Sequence, residues 1–427
     1  MTRPLLALAL GAALAAPAAA ATGPQTAVVD LGGARVYVRA DQGSPLAGIE
    51  LLIRAGLDRE TGAENGLAAL VAEIVLHTPV DGVPLDVAVD ARGAAIGYAV
   101  AAQSVRFFLE GTPEGLAASA PLAARALGAP AFDAATLGAA RAALGERIGD
   151  AEGDARLVGI DMLRSSYYRG GAGLPKLGNP AALAALTPDD AKRFYGRWYL
   201  RGDAVVAAVG RTGSVTDAAS RALVAALPGG SAPAAKLTTR AFGTQPKRIV
   251  THRDVYAPYV ALGFAAPALG DRDFAAALVV RTLLSSLFER VGATTLPPVF
   301  RSMGAIYAYD AAPAQFVLWI NGSRVDPAIG IAAVDAVVKA AAAKPLGAAA
   351  LARYKDTARG EWSLETLSLD QRAFAVGNAV LRGLDADAAE AVGPAIARVT
   401  AADLQRVTKT YFQRFDVALV MPRGDGG

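Results

Sequence analysis

Two stretches of this 427-residue chain, 213 positions apart, carry the same residue pattern. Leu186-Thr187-Pro188-Asp189-Asp190-Ala191-Lys192-Arg193 aligns with Val399-Thr400-Ala401-Ala402-Asp403-Leu404-Gln405-Arg406. At the same offset Trp198-Tyr199 meets Tyr411-Phe412, Arg201 meets Arg414, and Asp203 meets Asp416. Thr187 and Thr400 stand where a helix N-cap belongs, and the carboxylates three residues on, Asp190 and Asp403, approach a capping box. Each helix is followed by an apolar strand, 204–209 in one copy and 417–422 in the other. The beginnings of the halves agree too. An apolar strand at 48–55 leads into a helical pattern over Gly66 to His77, and one at 259–266 leads into Phe274 to Leu287. Equal patterns bury equal faces. The chain is therefore expected to be two copies of one α+β domain, each an antiparallel sheet packed by helices on one side.

Between the copies lies Pro228-Gly229-Gly230-Ser231-Ala232-Pro233, a composition that favours an exposed linker. The expected division is an N-terminal domain over 22–228, a linker over 229–246 and a C-terminal domain over 247–427. Within the copies, 94–101 with 104–110 and 305–311 with 315–320 read as hairpin pairs. A long helical tract is expected from Leu137 to Met162. Hydrophobic residues make up 53% of the chain and charged residues 19%, which fits a well-buried globular protein. A net charge of +3 without Lys/Arg runs argues against a nucleic-acid partner. There is no cysteine, which excludes disulfides, thiolate nucleophiles and cysteine-based metal sites, and His77 and His252 are the two histidines. Met1-Thr2-Arg3, the apolar run Leu5 to Leu14 and the small residues Pro17-Ala18-Ala19-Ala20-Ala21 read as an export signal over 1–21, so the expected location is the periplasm. No later segment reads as a membrane span; Phe274 to Leu287 is interrupted by Arg281.

Several motifs recur in one order along the chain: Glu64-Asn65-Gly66-Leu67-Ala68, then Tyr167-Tyr168-Arg169, Leu177-Gly178-Asn179-Pro180 and Phe194-Tyr195 with Trp198-Tyr199. Together with the internal repeat they resemble the M16 peptidases, the insulinase and pitrilysin group, in the short two-domain M16B form. Members with a zinc site carry Gly-Leu-Ala-His-x-x-Glu-His at the first motif. Two imidazoles four residues apart share a helical face and grip one Zn²⁺, and the glutamate between them activates water. The resemblance places the histidines on Ala69 and Glu73 and the general base on Ala72. It places the distal glutamate ligand on Glu146. Alanine neither ligates nor accepts a proton, so no metal is expected here and no catalysis by the chain alone. Glu73 with Glu146 as a hard-cation site is the weaker reading, because two carboxylates without nearby carbonyls hold Ca²⁺ or Mg²⁺ poorly; the stronger is that both are partly solvated helix carboxylates paired with Arg or Lys.

The resemblance also implies a substrate-holding arginine and tyrosine in the C-terminal domain. In Arg301-Ser302-Met303-Gly304-Ala305-Ile306-Tyr307-Ala308-Tyr309 the glycine-to-tyrosine spacing matches the family's, while Arg301 sits one residue closer to the glycine. Arg301 and Tyr307 are the expected pair and Tyr309, on the same strand face as Tyr307, is the reserve. A guanidinium binds carbonyl oxygens well and a phenol donates to a developing oxyanion. The other reading of the pair is a surface arginine and a core-facing aromatic. The function implied is that of a zinc-less subunit of a heterodimeric M16B metallopeptidase. Its partner would carry the zinc, and this chain would help to enclose the peptide substrate. The alternative is a non-enzymatic peptide-binding or assembly protein.

Overall fold

The structure, a computed structural model, describes residues 26–30, 35–295, 300–322 and 327–423. The export signal expected at 1–21 lies outside the described residues. In the first half the elements run β1 (Ala27–Asp30), β2 (Arg35–Ala40), β3 (Ala47–Ile53), α1 (Leu67–His77), β4 (Pro79–Val80), β5 (Val83–Pro84), α2 (Leu85–Asp90), β6 (Ala94–Val100) and β7 (Val105–Gly111). They continue with α3 (Pro113–Gly128), α4 (Ala134–Gly153), α5 (Ala155–Tyr167), α6 (Pro180–Ala185), α7 (Pro188–Trp198), β8 (Ala204–Gly210) and α8 (Ser214–Ala226). The second half contains β9 (Arg248–Arg253), β10 (Tyr259–Ala266), α9 (Phe274–Thr295), β11 (Phe300–Ala308), β12 (Ala314–Gly322) and α10 (Pro327–Ala343). It ends with α11 (Ala348–Glu365), α12 (Leu369–Leu381), α13 (Val392–Arg398), α14 (Ala401–Tyr411) and β13 (Phe415–Pro422).

The repeat is written into the sheets. One has the strand order β1-β2-β8-β3-β7-β6 and the other β11-β12-β10-β13-β9, so β2-β8-β3-β7-β6 and β9-β13-β10-β12-β11 share one topology. Leu51 stands between Phe107 and Val206, and Val260 between Ile320 and Leu419, the residue 213 positions after Val206. The expected antiparallel sheets hold except for one parallel pairing each, β2 with β8 and β13 with β9. Each parallel pair joins a strand near the start of a half to the last strand of that half. Nearly a whole half forms the crossover that a parallel connection requires. The capping boxes form as expected. The Thr187 hydroxyl accepts from the Asp190 amide and the Asp190 carboxylate accepts from the Thr187 amide; Thr400 and Asp403 repeat the exchange.

Helices cover one face of each sheet from within its own half. The opposite face is covered by a helix from the other half. On the first sheet, α12 sets Leu369, Ala373 and Val376 against Ala207 and Val209, and Leu381 against Leu52 and Val205. On the second, α5 sets Ala155 and Leu163 against Tyr259, Ala261, Ala418 and Val420. This exchange explains why the tract expected as one helix from Leu137 to Met162 is two. The helix ends at Gly153, and Asp154 caps the next one by accepting from the Arg156 amide at 2.8 Å. The turn sends α5 away from α4 onto the other sheet. Polar contacts tie the halves where these helices land. Arg106 donates to Glu50 at 3.1 Å and to Asp370 of α12 at 2.7 Å, and both Ser166 of α5 and Arg240 of the linker donate to Asp416. The linker itself is pinned to the end of α5, with the Arg169 amide donating to Thr238 and the Arg240 amide to Tyr167.

Candidate functional site

The helix that the sequence marks, α1, begins where the chain turns back on itself. Gly66 has φ +108°, a conformation that suits glycine, and a Cβ there would come within 2.5 Å of Leu183 and 3.1 Å of the backbone of Gly178. A glycine N-cap offers no side chain to the first amides of the helix. Glu60 takes that role from outside. Its carboxylate accepts from the amides of Ala68 at 2.7 Å and Gly66 at 3.0 Å and from the side chain of Asn65 at 2.8 Å. Burial pushes the Glu60 carboxyl up to about 7, against the pull of these hydrogen bonds. The helix is sunk in the core, buried at every position from Leu67 to Leu76.

Ala69 and Ala72, where the resemblance leads one to expect a ligand and a base, are fully buried and present methyl groups. Glu73, only 4% exposed, is held by its neighbours. Arg147 of α4 donates to one carboxylate oxygen at 2.7 Å, and the hydroxyl of Tyr98 on β6 donates to the same oxygen at 2.9 Å. The guanidinium also donates to the Tyr98 oxygen and lies 4.7 Å over the Tyr98 ring, a cation–π contact. Burial raises the Tyr98 phenol well above its usual range, with Glu73 adding to the rise. His77 closes the other side, its Nδ1 2.9 Å from the Glu73 carbonyl oxygen and 3.5 Å from its carboxylate.

The four expected positions are therefore not assembled as a ligand set. Ala69, Ala72 and Glu73 lie together on α1, but Glu146 is exposed and its neighbour Arg147 reaches the site instead. Among the described residues no three His, Cys, Asp or Glu side chains come together to hold a metal. A zinc ion does not suit what is present: two methyl groups, and a carboxylate already paired with a guanidinium. Sequence reasoning missed both Arg147 and Tyr98. The signal available was the adjacency of Arg147 to the expected ligand and the position of Tyr98 in the strand that borders the helix.

In the second half the expected substrate-holding residues fall on edge strand β11. Arg301 is the extra residue of a bulge, because Phe300 and Ser302 face the consecutive positions Gly322 and Asn321. The Arg301 side chain lies outside the described residues. Tyr307 departs from its expected role. It is 6% exposed, packs against Phe274, Phe316 and Tyr309, and donates its hydroxyl hydrogen to the carbonyl of Pro267. A phenol has a single hydrogen to give, so none remains for a substrate carbonyl. Tyr309 is partly exposed and edge-packed against Phe274, with Trp362 and Tyr307 around it.

Comparison with known proteins finds likeness in sequence over part of the chain and in fold over nearly all of it. Residues 185–357 match the family described as the Peptidase M16 inactive domain. A protease from Helicobacter pylori superposes with a TM-score of 0.81 at 16% identity, over 93% of this chain and 100% of that one. A peptidase M16 inactive domain from Pseudomonas fluorescens superposes with a TM-score of 0.78 at 17% identity, over 94% and 98%. A chain of complex III2 from Candida albicans does so with a TM-score of 0.76 at 14% identity, over 92% and 95%. No curated protein matches the chain in sequence. Residues 185–357 thus resemble the M16 inactive domain, and the chain as a whole shares the fold of these solved structures.

Proposed function

We propose that this chain is the non-catalytic subunit of a heterodimeric M16-type metallopeptidase of the periplasm. The observation that carries the reading is the closed α1 pocket. The helix, its glycine frame and its burial are kept, while Ala69 and Ala72 replace a ligand and a base and Arg147 neutralises Glu73. A fold kept around a disabled site fits a role in holding a partner and its peptide substrate. The zinc then belongs to the partner, whose site supplies the activated water. Of the substrate-holding set, Arg301 and Tyr309 are carried forward, and Tyr307 is a core residue.

The test is reconstitution. The purified chain should hydrolyse no peptide, and adding a zinc-bearing M16 subunit that co-purifies with it should give activity above that of the partner alone. In that complex Arg301→Ala should lower turnover while assembly, followed by size-exclusion chromatography, is unchanged. A second reading, a non-enzymatic assembly subunit, is favoured by the likeness to a chain of a large complex. It wins if the complex forms and its peptidase rate equals that of the partner alone.

A further inference from the structure

Alanine in place of a ligand at 69 and of a base at 72 disables a zinc site, yet it does not account for what the site has become. A carboxylate at position 73, 4% exposed, would be costly without a counter-charge. The counter-charge arrives from α4. The Arg147 guanidinium meets Glu73 of α1 at 2.7 Å and Tyr98 of β6 through both its hydroxyl and its ring. One cation therefore joins three elements at a single point. We propose that Arg147 is a built-in cation that replaces a metal ion as the cross-link between α1, α4 and β6. It is also the barrier to metal binding here: ligands rebuilt on α1 take up zinc only when position 147 changes as well.

The chemistry supports this in two ways. A guanidinium carries its charge at any ordinary pH and has no lone pair to offer a metal. With Arg147 in place, an arriving Zn²⁺ would meet a fixed positive charge beside its ligands, and the position nearest residue 73 on α4 would supply no donor. With glutamate at 147, the same position would offer an oxygen to a metal held by residues 69 and 73. Glu146 is exposed and lies on another side of α4, so it does not supply that oxygen.

The experiment is a zinc titration of the full chain, with chelator competition and thermal unfolding to establish folding. Ala69→His, Ala72→Glu and Glu73→His together form the first variant, and the same three with Arg147→Glu form the second. The second should bind one zinc per chain at least about 10-fold more tightly than the first, the smaller end of the effects seen on changing residues beside metal ligands. Comparable affinity in the two, or a folded second variant that binds no better, overturns the proposal. Should the second variant not fold, Arg147→Met decides alone. It should lower the melting temperature, and Arg147→Met with Glu73→Met should recover most of the loss, because the buried charge is then gone. An Arg147→Met chain that melts with the unmodified protein, or a double variant that recovers nothing, overturns the cross-link. Zinc titration needs no partner, so its failure is separable from failure of the subunit reading.

Discussion

The hydroxyl of Tyr307 has one hydrogen, and the carbonyl of Pro267 holds it. Tyr307→Phe should leave that buried carbonyl without a donor and cost about 1–3 kcal/mol, read as a lower urea midpoint at an unchanged slope. Turnover of a reconstituted complex should not move. A fall of about 100-fold or more with stability intact would instead make Tyr307 an oxyanion donor. This is also where legibility from sequence divides. Thr187 with Asp190 and Thr400 with Asp403 were readable because a cap is satisfied within three residues. Arg147 was not readable, because its pairing crosses from α4 to α1 over 74 positions. One step along a helix turns the side chain by about 100°, which is why Glu146 is exposed while its neighbour Arg147 faces Glu73.

At the scale of elements, the two exchanged helices meet their sheets through glycine. A Cβ on Gly159 of α5 would come within 2.7 Å of the Tyr259 ring, and one on Gly377 of α12 within 2.2 Å of Leu52. In a helix Gly→Ala ordinarily gains about 0.5–1 kcal/mol. At Gly159 the added methyl must move a fully buried tyrosine, and overpacking of that kind costs about 1–3 kcal/mol. Gly159→Ala should therefore destabilise, whereas Gly149→Ala on α4, where a Cβ meets nothing within 4 Å, should stabilise. Paired urea titrations check both signs. If Gly159→Ala also stabilises, close approach is not what holds α5 to the second sheet. Sequence periodicity supplied the central strands of both sheets and the helices α1, α7, α9 and α14, since burial on one face leaves a local pattern. It could not supply the exchange, because an apolar helix face reads the same whichever sheet it covers.

Over the whole molecule, the exchange makes each half a part of the other's core, so fluorescence and circular dichroism should report one coincident unfolding transition. The contact that couples α12 to the first sheet also gives that transition a pH dependence. Glu50 is fully buried, one of its oxygens faces Arg106, and the other has no hydrogen-bond partner among the described residues. Burial raises its carboxyl to about 8, with the Arg106 charge pulling down and Asp370 pushing up. The same cause raises Glu60 to about 7 and Asp58 to about 6. All three bind a proton more tightly when folded, so the folded state gains from protonation that the unfolded chain loses near pH 4.5 at the glutamates and near 3.8 at Asp58. Their contribution is complete below those values and is lost as pH rises through about 6, 7 and 8 in turn. Stability should fall between pH 5 and 9 by up to about 1.4 kcal/mol per pH unit for each group in its own window. Glu50→Gln removes the group that titrates highest and keeps its shape. Its urea midpoints should fall less steeply than those of the unmodified chain above about pH 5, and should be nearly flat between pH 8 and 9 once Glu60 and Asp58 have ionised. Equal slopes across the whole range would mean that the buried Glu50 carboxyl is not the source of the alkaline loss.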